Sequence, residues 1–370
     1  MLVNSVAGRF PPTQELALSV IDSSPTALAP AATPPPPPPR RGRPAARLAG
    51  LLAAFLLLAA VAALSLAVGA KQLTLAEAWQ GLWDANSPEH AVVRQMRLPR
   101  TLLGLLAGAA LGVAGAVMQA VTRNPLADPG LLGINAGASA AVATAAAFLG
   151  VTGVDGYVWF ALAGAAAVTA LVYAVGGGRG ATPARLALAG AALNAALYSY
   201  VSAVMLLDAA SLEKMRFWTV GSLASADLAT VVRVLPFAAV GLVIALAAAR
   251  PLNALALGDD QARSLGARPA ATRAAVVVAV TLLCGAATAA CGPLVFVGLL
   301  VPHLVRALTG PDLRWLLPAC ALLAPVLLLG ADVAGRVLGR PGEIQVGIMT
   351  AVLGGPLFLH LVTRTRAVRS

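Results

Sequence analysis

The stretch TLLGLLAGAALGVAGAVMQAV, residues 101–121, decides the fold, because it contains no charged side chain. A helix needs about 20 predominantly apolar residues to cross the hydrocarbon core of a bilayer, and this stretch has that length. The polar stretch RNPLADPG, residues 123–130, follows almost at once and contains the Asn-Pro and Asp-Pro pairs that mark turns. Similar apolar runs, separated by polar segments, follow one another along the chain. We therefore predict an all-α integral membrane protein.

Ten apolar runs are candidates for transmembrane helices. They are residues 48–69, 101–121, 131–149, 156–176, 184–207, 229–249, 270–290, 293–308, 315–331 and 343–363. The eighth is short and the ninth contains Pro318 and Pro325, so either could be tilted, kinked or partly buried. None of the runs alternates as a barrel strand does, which predicts a polytopic bundle of about ten transmembrane helices.

Glycine recurs along the second run. Gly104, Gly108 and Gly112 are spaced every four residues, and Gly115 follows. This spacing lines one face of a helix with glycine and lets a neighbouring helix approach closely. We interpret the face as a packing surface and not as a binding site.

The composition excludes a soluble globular protein. Only 11% of the 370 residues are charged and 59% are hydrophobic, whereas soluble domains carry about 25% charged residues. Such a chain cannot cover itself with a polar surface, so the lipid bilayer is its expected surrounding. The net charge of +11 could indicate nucleic-acid binding. The arginines lie mostly at the ends of apolar runs, which is typical of membrane borders, and we predict no nucleic-acid partner.

The distribution of basic residues predicts the orientation. With the N terminus inside and ten spans, 17 of the 26 basic residues fall in cytoplasmic segments. Those segments are residues 1–47, 122–130, 177–185, 250–273, 306–314 and 364–370. We therefore predict that both termini are cytoplasmic.

The first 46 residues differ from the rest. They contain the proline run 34–39 followed by three arginines, and they lack the apolar segment of a signal peptide. A proline run favours an extended chain with no core to bury. We predict a disordered Pro/Arg-rich cytoplasmic tail over residues 1–46 and a transmembrane domain over residues 47–366.

The residues needed for most chemistry are missing from the sequence. The chain has no GxxxxGK[ST] motif, so it cannot cradle ATP phosphates as a P-loop does. Cys284, Cys291 and Cys320 lie in or beside apolar runs and are interpreted as small buried hydrophobic residues. The three histidines are scattered, and no acid–base pair shares a span. We expect no enzyme activity, no cofactor and no metal site.

Several arginines fall on the side predicted to be outside. Arg94, Arg97 and Arg100 precede the second span, and Arg336 and Arg340 precede the last one. Arginine on the outer side needs a reason, because the positive-inside bias disfavours it. Binding of an acidic partner is one explanation, and interfacial snorkelling is the other.

Two polar segments on the cytoplasmic side are candidates for moving parts. The first is the hinge after the second span, with the residues Arg123, Asn124, Pro125, Asp128 and Pro129, which we interpret as a short cytoplasmic turn. The second is the loop that contains Leu257, Gly258, Asp259, Asp260, Ala262, Leu265 and Gly266. Here the acidic pair suits a helix N terminus, and Gly266 suits its C-terminal cap. We predict a short amphipathic helix with Leu257, Gln261, Ala262 and Leu265 on one face, either a docking knob or an ordinary interfacial helix.

Seven motifs in one order resemble those of the FecCD-type permeases, which serve ferric siderophore, haem and vitamin B12 ABC importers. They are RLPR at 97–100, GAVMQ at 115–119, RNPLADP at 123–129, the loop 257–266, GPLVFVGLLVPH at 292–303, ADVAGR at 331–336 and EIQVG at 343–347. The resemblance covers roughly residues 50–366. Asp259 and Asp260 stand where the family more often has glutamate, and the proline-rich N terminus lies outside the family pattern.

The resemblance implies the partners of this chain. They are a second permease subunit, identical or related, two ATP-binding cassette ATPase subunits in the cytoplasm, and an extracytoplasmic substrate-binding protein. The implied location is the bacterial cytoplasmic membrane, which the chain crosses several times.

The resemblance also implies roles for particular residues. Arg97, Arg100 and Arg336 would meet acidic residues of the binding protein, and the loop 257–266 would fit a cleft in the ATPase. Within span 184–207, Asn194, Leu197 and Ser202 would line the pathway.

The expected cargo is a ferric siderophore, moved with ATP that another chain hydrolyses. Haem and vitamin B12 are the alternatives within the family. An ion-coupled secondary transporter and a membrane scaffold are alternatives of other classes, although the scarcity of intramembrane charge disfavours the first of these.

Overall fold

The computed structural model describes residues 44–69, 71–151, 154–176, 183–207 and 218–367, and within these ranges the chain is helical, with no β-strand. The helices are α1 (Pro44–Ala67), α2 (Leu75–Trp83), α3 (Leu98–Thr122), α4 (Ile134–Phe148), α5 (Val154–Gly176), α6 (Pro183–Leu207), α7 (Leu228–Ala247), α8 (Ala249–Leu255), α9 (Asp259–Ser264), α10 (Pro269–Cys291), α11 (Val297–Thr309), α12 (Leu313–Leu338) and α13 (Val346–Ala367). A π-helical segment, Ala91–Arg97, leads into α3, and a 3₁₀ turn, Pro129–Leu132, precedes α4.

The start of α1 changes one predicted boundary. Residues 1–43 of the predicted tail lie outside the described residues. Because α1 begins at Pro44, residues 44–46 are helical and do not belong to a disordered tail.

The described helices confirm the predicted bundle of about ten spans. Seven of them are long and apolar enough to cross a membrane, namely α1, α3 with its π-helical lead, α5, α6, α7, α10 and α12. The apolar helices α4 and α11 and the apolar part of α13, Val346–Leu359, are shorter and complete the ten. The predicted eighth span is indeed short, with 13 residues in α11, whereas α12 continues through Pro318 and Pro325 over 26 residues.

The centre of the bundle consists of α3, α10 and α12, whose side chains are mostly buried, whereas α1 and α6 are mostly exposed. The predicted glycine face lies at this centre. A Cβ on Gly108 would overlap the backbone of Pro325 in α12, and one on Gly115 would overlap the carbonyl of Gly298 in α11. The face is therefore a packing surface, as predicted. The three cysteines are buried free thiols.

The chain after α3 turns from one helix to the next, and part of this turn lies inside the bundle. Arg123 ends the helix in the left-handed conformation, with φ 52°. Ala127 and Pro129 are then buried, and Asn194 of α6 donates a hydrogen bond of 3.1 Å to the Gly130 carbonyl. The segment therefore turns back into the bundle, where the Gly130 carbonyl accepts from both Asn194 and the Gly133 N–H of the 3₁₀ turn.

A second broken segment follows α10. Residues 292–296 are not helical, and Phe296 has φ 70°. Its pattern, Pro-Leu and then Gly-Leu-Leu at 293–300, matches the one at 125–132 after α3. The two segments meet, because the Pro129 ring lies against Gly298. Each is followed by one of the short helices, α4 or α11.

Candidate functional sites

The two ends of the bundle are named here after the predicted topology. The end that holds the C termini of α1 and α12 and the N terminus of α3 is the outer end. The end that holds α8, α9 and the C terminus of α3 is the cytoplasmic end.

Arg100 lies at the centre of an ion-pair network at the outer end. Its Nε and NH2 groups donate to the two carboxylate oxygens of Asp332, at 3.0 and 2.7 Å, and its NH1 donates to Glu343 Oε2 at 2.7 Å. The side chain of Asp332 is completely buried, whereas that of Glu343 is partly exposed. The guanidinium thus has an inner partner and an outer partner.

Arg336 shares the buried carboxylate. Its NH2 lies 3.0 Å from Asp332 Oδ2 and donates to Ser65 Oγ, and its NH1 donates to the carbonyls of Ser65 and Val68. Only 2% of this arginine is exposed. Arg336 is therefore tied to the end of α1.

Arg97 holds the same helix end. Its NH1 donates to the carbonyls of Leu66 and Ala67, at 2.7 and 2.6 Å, and its NH2 donates to the carbonyl of Lys71. The last four carbonyls of a helix lack partners within it, and the last turn of α1 has no basic residue of its own. Arg97 and Arg336 supply the missing donors.

The docking role of Arg97, Arg100 and Arg336 stays a prediction, and the structure shows that all three make contacts within the chain. Arg97 and Arg336 are buried because the carbonyls at the end of α1 need donors, and Arg100 is largely buried against Asp332. Among the described residues, the exposed basic ones at the outer end are Lys71, Arg94 and Arg340. Lys71 pairs with Glu89 at 2.7 Å, while Arg94 and Arg340 donate to the carbonyls of Leu82 and Gly69.

At the cytoplasmic end, Asp259 joins three elements. Its carboxylate accepts from Arg273 of α10 at 2.8 and 2.9 Å and from Arg123 at 3.1 Å. Arg123 also donates to the carbonyl of Leu255 in α8. The hydrogen bond from Arg273 is the main reason why the pKa of Asp259 lies below its usual range. The predicted hinge and the predicted loop therefore meet at one ion pair.

The helix α9 has the predicted capping but not the predicted face. Gly266 adopts φ 82°, its N–H donates to the Arg263 carbonyl, and the Ala267 N–H donates to the Ala262 carbonyl, which is a Schellman motif. Ala262, however, is buried, whereas Leu257 and Leu265 are exposed. The predicted common face of these residues is wrong, because α9 is only six residues long and Ala262 packs inward.

The remaining loop and hinge residues have local roles. Gly258 precedes α9 with φ 115°, and Asp260 pairs with Arg263 on the exposed side. Asn124 Oδ1 accepts from the Leu126 N–H, and Asp128 Oδ1 accepts from the Gly130 N–H, which starts the 3₁₀ turn. Pro125 is exposed.

A second polar clamp at the cytoplasmic end was not predicted. Asn253 of α8 donates to Asp312 Oδ1 at 2.7 Å and accepts from the N–H of Leu313 at the start of α12. Arg314 also donates to Asp312 and, as the largest effect, lowers the pKa of this carboxyl to about 2. The pair Asn253–Asp312 is separated by 59 residues, so sequence spacing gives no sign of it.

Gln119 is a further buried link that sequence reasoning left without a role. Its Nε2 donates to the Leu299 carbonyl at 3.0 Å, and its Oε1 accepts from Arg306 at 3.3 Å. It thereby joins α3 to two positions along α11. A buried glutamine within an apolar run was the available signal, since such a side chain needs partners.

The candidate pathway residues lie on α6. Ser202 is exposed, Leu197 is half-buried, and the Asn194 Oδ1 has no hydrogen-bond partner among the described residues. Tyr198 and Ser199 are exposed on the same helix. Exposed hydroxyl groups in a membrane-spanning helix suit an aqueous or protein-covered face better than lipid.

The sequence of this chain matches a known transport family. The profile of the FecCD transport family matches residues 56–364. The chain belongs to the FecCD transport family. This FecCD chain is 46% identical over 314 residues to the ferric enterobactin transport system permease protein FepD of Escherichia coli (strain K12), covering 84% of this chain and 93% of FepD.

Other FecCD relatives carry different names. The Fe(3+)-citrate import system permease protein YfmD of Bacillus subtilis (strain 168) is 40% identical, covering 83% of this chain and 92% of YfmD. The hemin transport system permease protein HmuU of Yersinia pestis is 36% identical, covering 82% of this chain and 94% of HmuU. The FecCD chain is thus a multi-pass permease of the bacterial cytoplasmic membrane.

A solved structure shares the fold. A metal-chelate type ABC transporter in an inward-facing conformation superposes with a TM-score of 0.75 at 29% sequence identity. The match covers 86% of this chain and 99% of that one. The arrangement of the helices is therefore that of an ABC transporter permease.

Proposed function

We propose that this chain is the membrane-spanning permease subunit of an ABC importer that carries a ferric siderophore into the cytoplasm. The observation that carries the proposal is the 46% identity to a ferric enterobactin permease along nearly all of that protein. The chain works with a second permease subunit, two ATPase subunits and an extracytoplasmic binding protein. ATP is hydrolysed by the ATPase subunits and not by this chain.

The cargo passes along the exposed face of α6. Tyr198, Ser199 and Ser202 offer hydroxyl groups there, and none of them carries charge at neutral pH. Weak contacts suit a bulky chelate, because the pathway must release the chelate again. Asn194 and Leu197 stand beside this face and support the broken segment around Gly130.

The binding protein docks on the outer end. Arg97 and Arg336 are buried, which supports a positioning role for both. Their hydrogen bonds to main-chain carbonyls hold the C-terminal end of α1 in place. Arg100 makes the direct contact through NH1, the group that Glu343 now holds. The exposed Arg94 and Arg340 extend the basic surface, and complementary charge steers docking.

The ATPase docks on the exposed side of α9. Leu257 and Leu265 offer apolar contact there, and Asp260 and Arg263 surround it with charge. Movement of α9 reaches the transmembrane helices through Asp259, because that carboxylate holds both Arg123 at the end of α3 and Arg273 in α10.

Reconstitution tests this proposal. Proteoliposomes that contain the permease and ATPase subunits are supplied with the binding protein and with ferric enterobactin that carries radioactive iron. We expect uptake that requires ATP, the ATPase subunits and the binding protein. Uptake by this chain alone, driven by an ion gradient, would contradict the proposal and favour a secondary transporter.

A substrate panel separates the members of the family. The cognate binding protein is titrated with ferric siderophores, haem and cobalamin. We expect tight binding of a ferric siderophore only. Tight binding of haem or cobalamin instead would still support an ABC importer, but its cargo would not be a ferric siderophore.

A further inference from the structure

The helix α2 lies in the connection between α1 and α3 and has no role in the functions above. Thr74 caps its N terminus: the Thr74 hydroxyl accepts from the Glu77 N–H, and the Glu77 carboxylate accepts from the Thr74 N–H in return. These bonds hold the pKa of Glu77 below its usual range. With both ends satisfied, α2 is a defined nine-residue helix and not a loose loop.

Two tryptophans make α2 unusual. Leu75, Trp79 and Trp83 recur at every fourth position and are 64%, 65% and 66% exposed. The two indole rings contact each other edge to face, with centroids 5.7 Å apart. Large apolar side chains in such an arrangement mark an interaction surface.

The circumference of α2 divides into three arcs. At about 100° per residue, Leu75, Trp79 and Trp83 occupy one exposed arc of about 80°. Glu77 and Gln80 occupy a second exposed arc, which is polar. Ala78 and Gly81 form the third, which is buried. That arc lies against protein, because a Cβ on Gly81 would overlap Val93 in the π-helical segment. A helix with a protein side, a polar side and an apolar side suits the line where protein, water and lipid meet.

The apolar arc continues a lipid-facing surface. The helix α1 is mostly exposed and apolar along its length, including Leu64 in its last turn. Leu73, just before α2, is buried and donates its N–H to the carbonyl of Ala67 at the end of α1. The arc therefore begins where a membrane-spanning helix ends. Tryptophan is enriched at that depth, because its ring is apolar and its N–H is polar.

We propose that Leu75, Trp79 and Trp83 insert into the headgroup region of the outer leaflet, so that the lipid surface is the partner of this arc. The charged groups nearby do not lie on the arc, so it offers no pairing group to a protein. Insertion would hold the segment whose Lys71 carbonyl binds Arg97. The lipid contact then steadies the outer end of the bundle.

Spin labelling tests the proposal in the assembled transporter in nanodiscs of phosphatidylethanolamine and phosphatidylglycerol. Single cysteines are placed at Trp79 (Trp79→Cys) and, as a matched control on the polar arc of the same helix, at Gln80 (Gln80→Cys). Leu56→Cys in α1 and Asn86→Cys in the following turn mark the lipid and water limits. The three native cysteines are changed to alanine. Collision with oxygen reports lipid, and collision with a water-soluble nickel chelate reports water.

We expect the oxygen-to-nickel accessibility ratio at position 79 to exceed that at position 80 several-fold and to lie between the two limits. Equal ratios at positions 79 and 80 would overturn the proposal. Loss of access to both reagents at position 79 when the binding protein is added would assign the arc to protein docking instead. If the cysteine variants do not assemble, quenching of tryptophan fluorescence by brominated lipid is compared between the native chain and Trp79→Phe/Trp83→Phe, and an unchanged quenched fraction overturns the proposal.

Discussion

Arg100 in α3 and Asp332 in α12 are separated by 232 residues and form a two-point ion pair between the central helices. Asp332 also holds Arg336, so one buried carboxylate serves two guanidinium groups. Removing the charge from one side of such a pair leaves the other side buried and uncompensated, which typically destabilises a protein by about 3–5 kcal/mol. The pair therefore locks the outer end of the bundle.

Asp332→Asn tests this stabilising role, because asparagine has nearly the same shape as aspartate but carries no charge. We expect a loss of stability of about 3–5 kcal/mol, seen as a lower thermal midpoint of the purified protein in detergent. Asp260→Asn is the control, because the Asp260 side chain is 98% exposed and its ion pair is a surface one. Equal midpoints for the two variants would show that the buried network does not stabilise the bundle.

Glu343→Gln tests whether Glu343 occupies the place of an acidic residue of the binding protein. Loss of the carboxylate frees Arg100 NH1, while Asp332 still holds the rest of the guanidinium. Glu343 is the partly exposed member of this pair, and a surface ion pair is worth about 0.2–1 kcal/mol, so we expect the binding protein to bind up to about fivefold more tightly. Binding is measured by surface plasmon resonance on the transporter in nanodiscs. Asp84→Asn, at the same end of the bundle, serves as the control. Weaker binding by Glu343→Gln would show that Glu343 does not occupy the place of an acidic residue of the binding protein.

Asp259→Asn tests the link between α9 and the central helices. The ion pairs of Asp259 are partly exposed, so the thermal midpoint is expected to change little. Coupling between distant sites amounts to about 1–3 kcal/mol, so we expect a several-fold fall in cargo moved per ATP hydrolysed. Asp84→Asn is the control, because Asp84 is an exposed acidic residue at the outer end, away from the ATPase. An unchanged ratio of transport to hydrolysis in Asp259→Asn would remove Asp259 from the coupling path.

The sequence predicts the features that depend on local pattern. Apolar length identifies the ten spans, the four-residue glycine spacing identifies the packing face, and Gly266 marks the end of α9. Features that depend on distant partners were missed. The sequence suggests surface positions for Arg97 and Arg336, because the carbonyls that they bind lie more than 25 residues away, in and just after α1. The return of residues 127–133 into the bundle involves Asn194, which lies far along the chain in α6.

Gly115→Ala tests the close contact between α3 and α11 at Gly298. The added Cβ would overlap the Gly298 carbonyl, which is backbone and cannot rotate away. Overpacking of this kind costs about 1–3 kcal/mol, and we expect the thermal midpoint to fall accordingly. Gly330→Ala is the matched control, since a Cβ there meets nothing within 4 Å and alanine favours a helix. A fall in Gly330→Ala as large as that in Gly115→Ala would contradict the packing explanation.

Ser202→Trp tests the assignment of α6 to the pathway. Ser202 is exposed on a membrane-spanning helix, so the larger side chain fits without disturbing the buried core. If the cargo passes this face, the added bulk should slow uptake by more than about tenfold, which corresponds to a barrier about 1.4 kcal/mol higher. Binding-protein docking and ATP hydrolysis should persist, because neither surface includes α6. Leu56→Trp, on the exposed and apolar α1, controls for a bulky residue facing lipid. Normal uptake by Ser202→Trp would move the pathway to another face of the bundle.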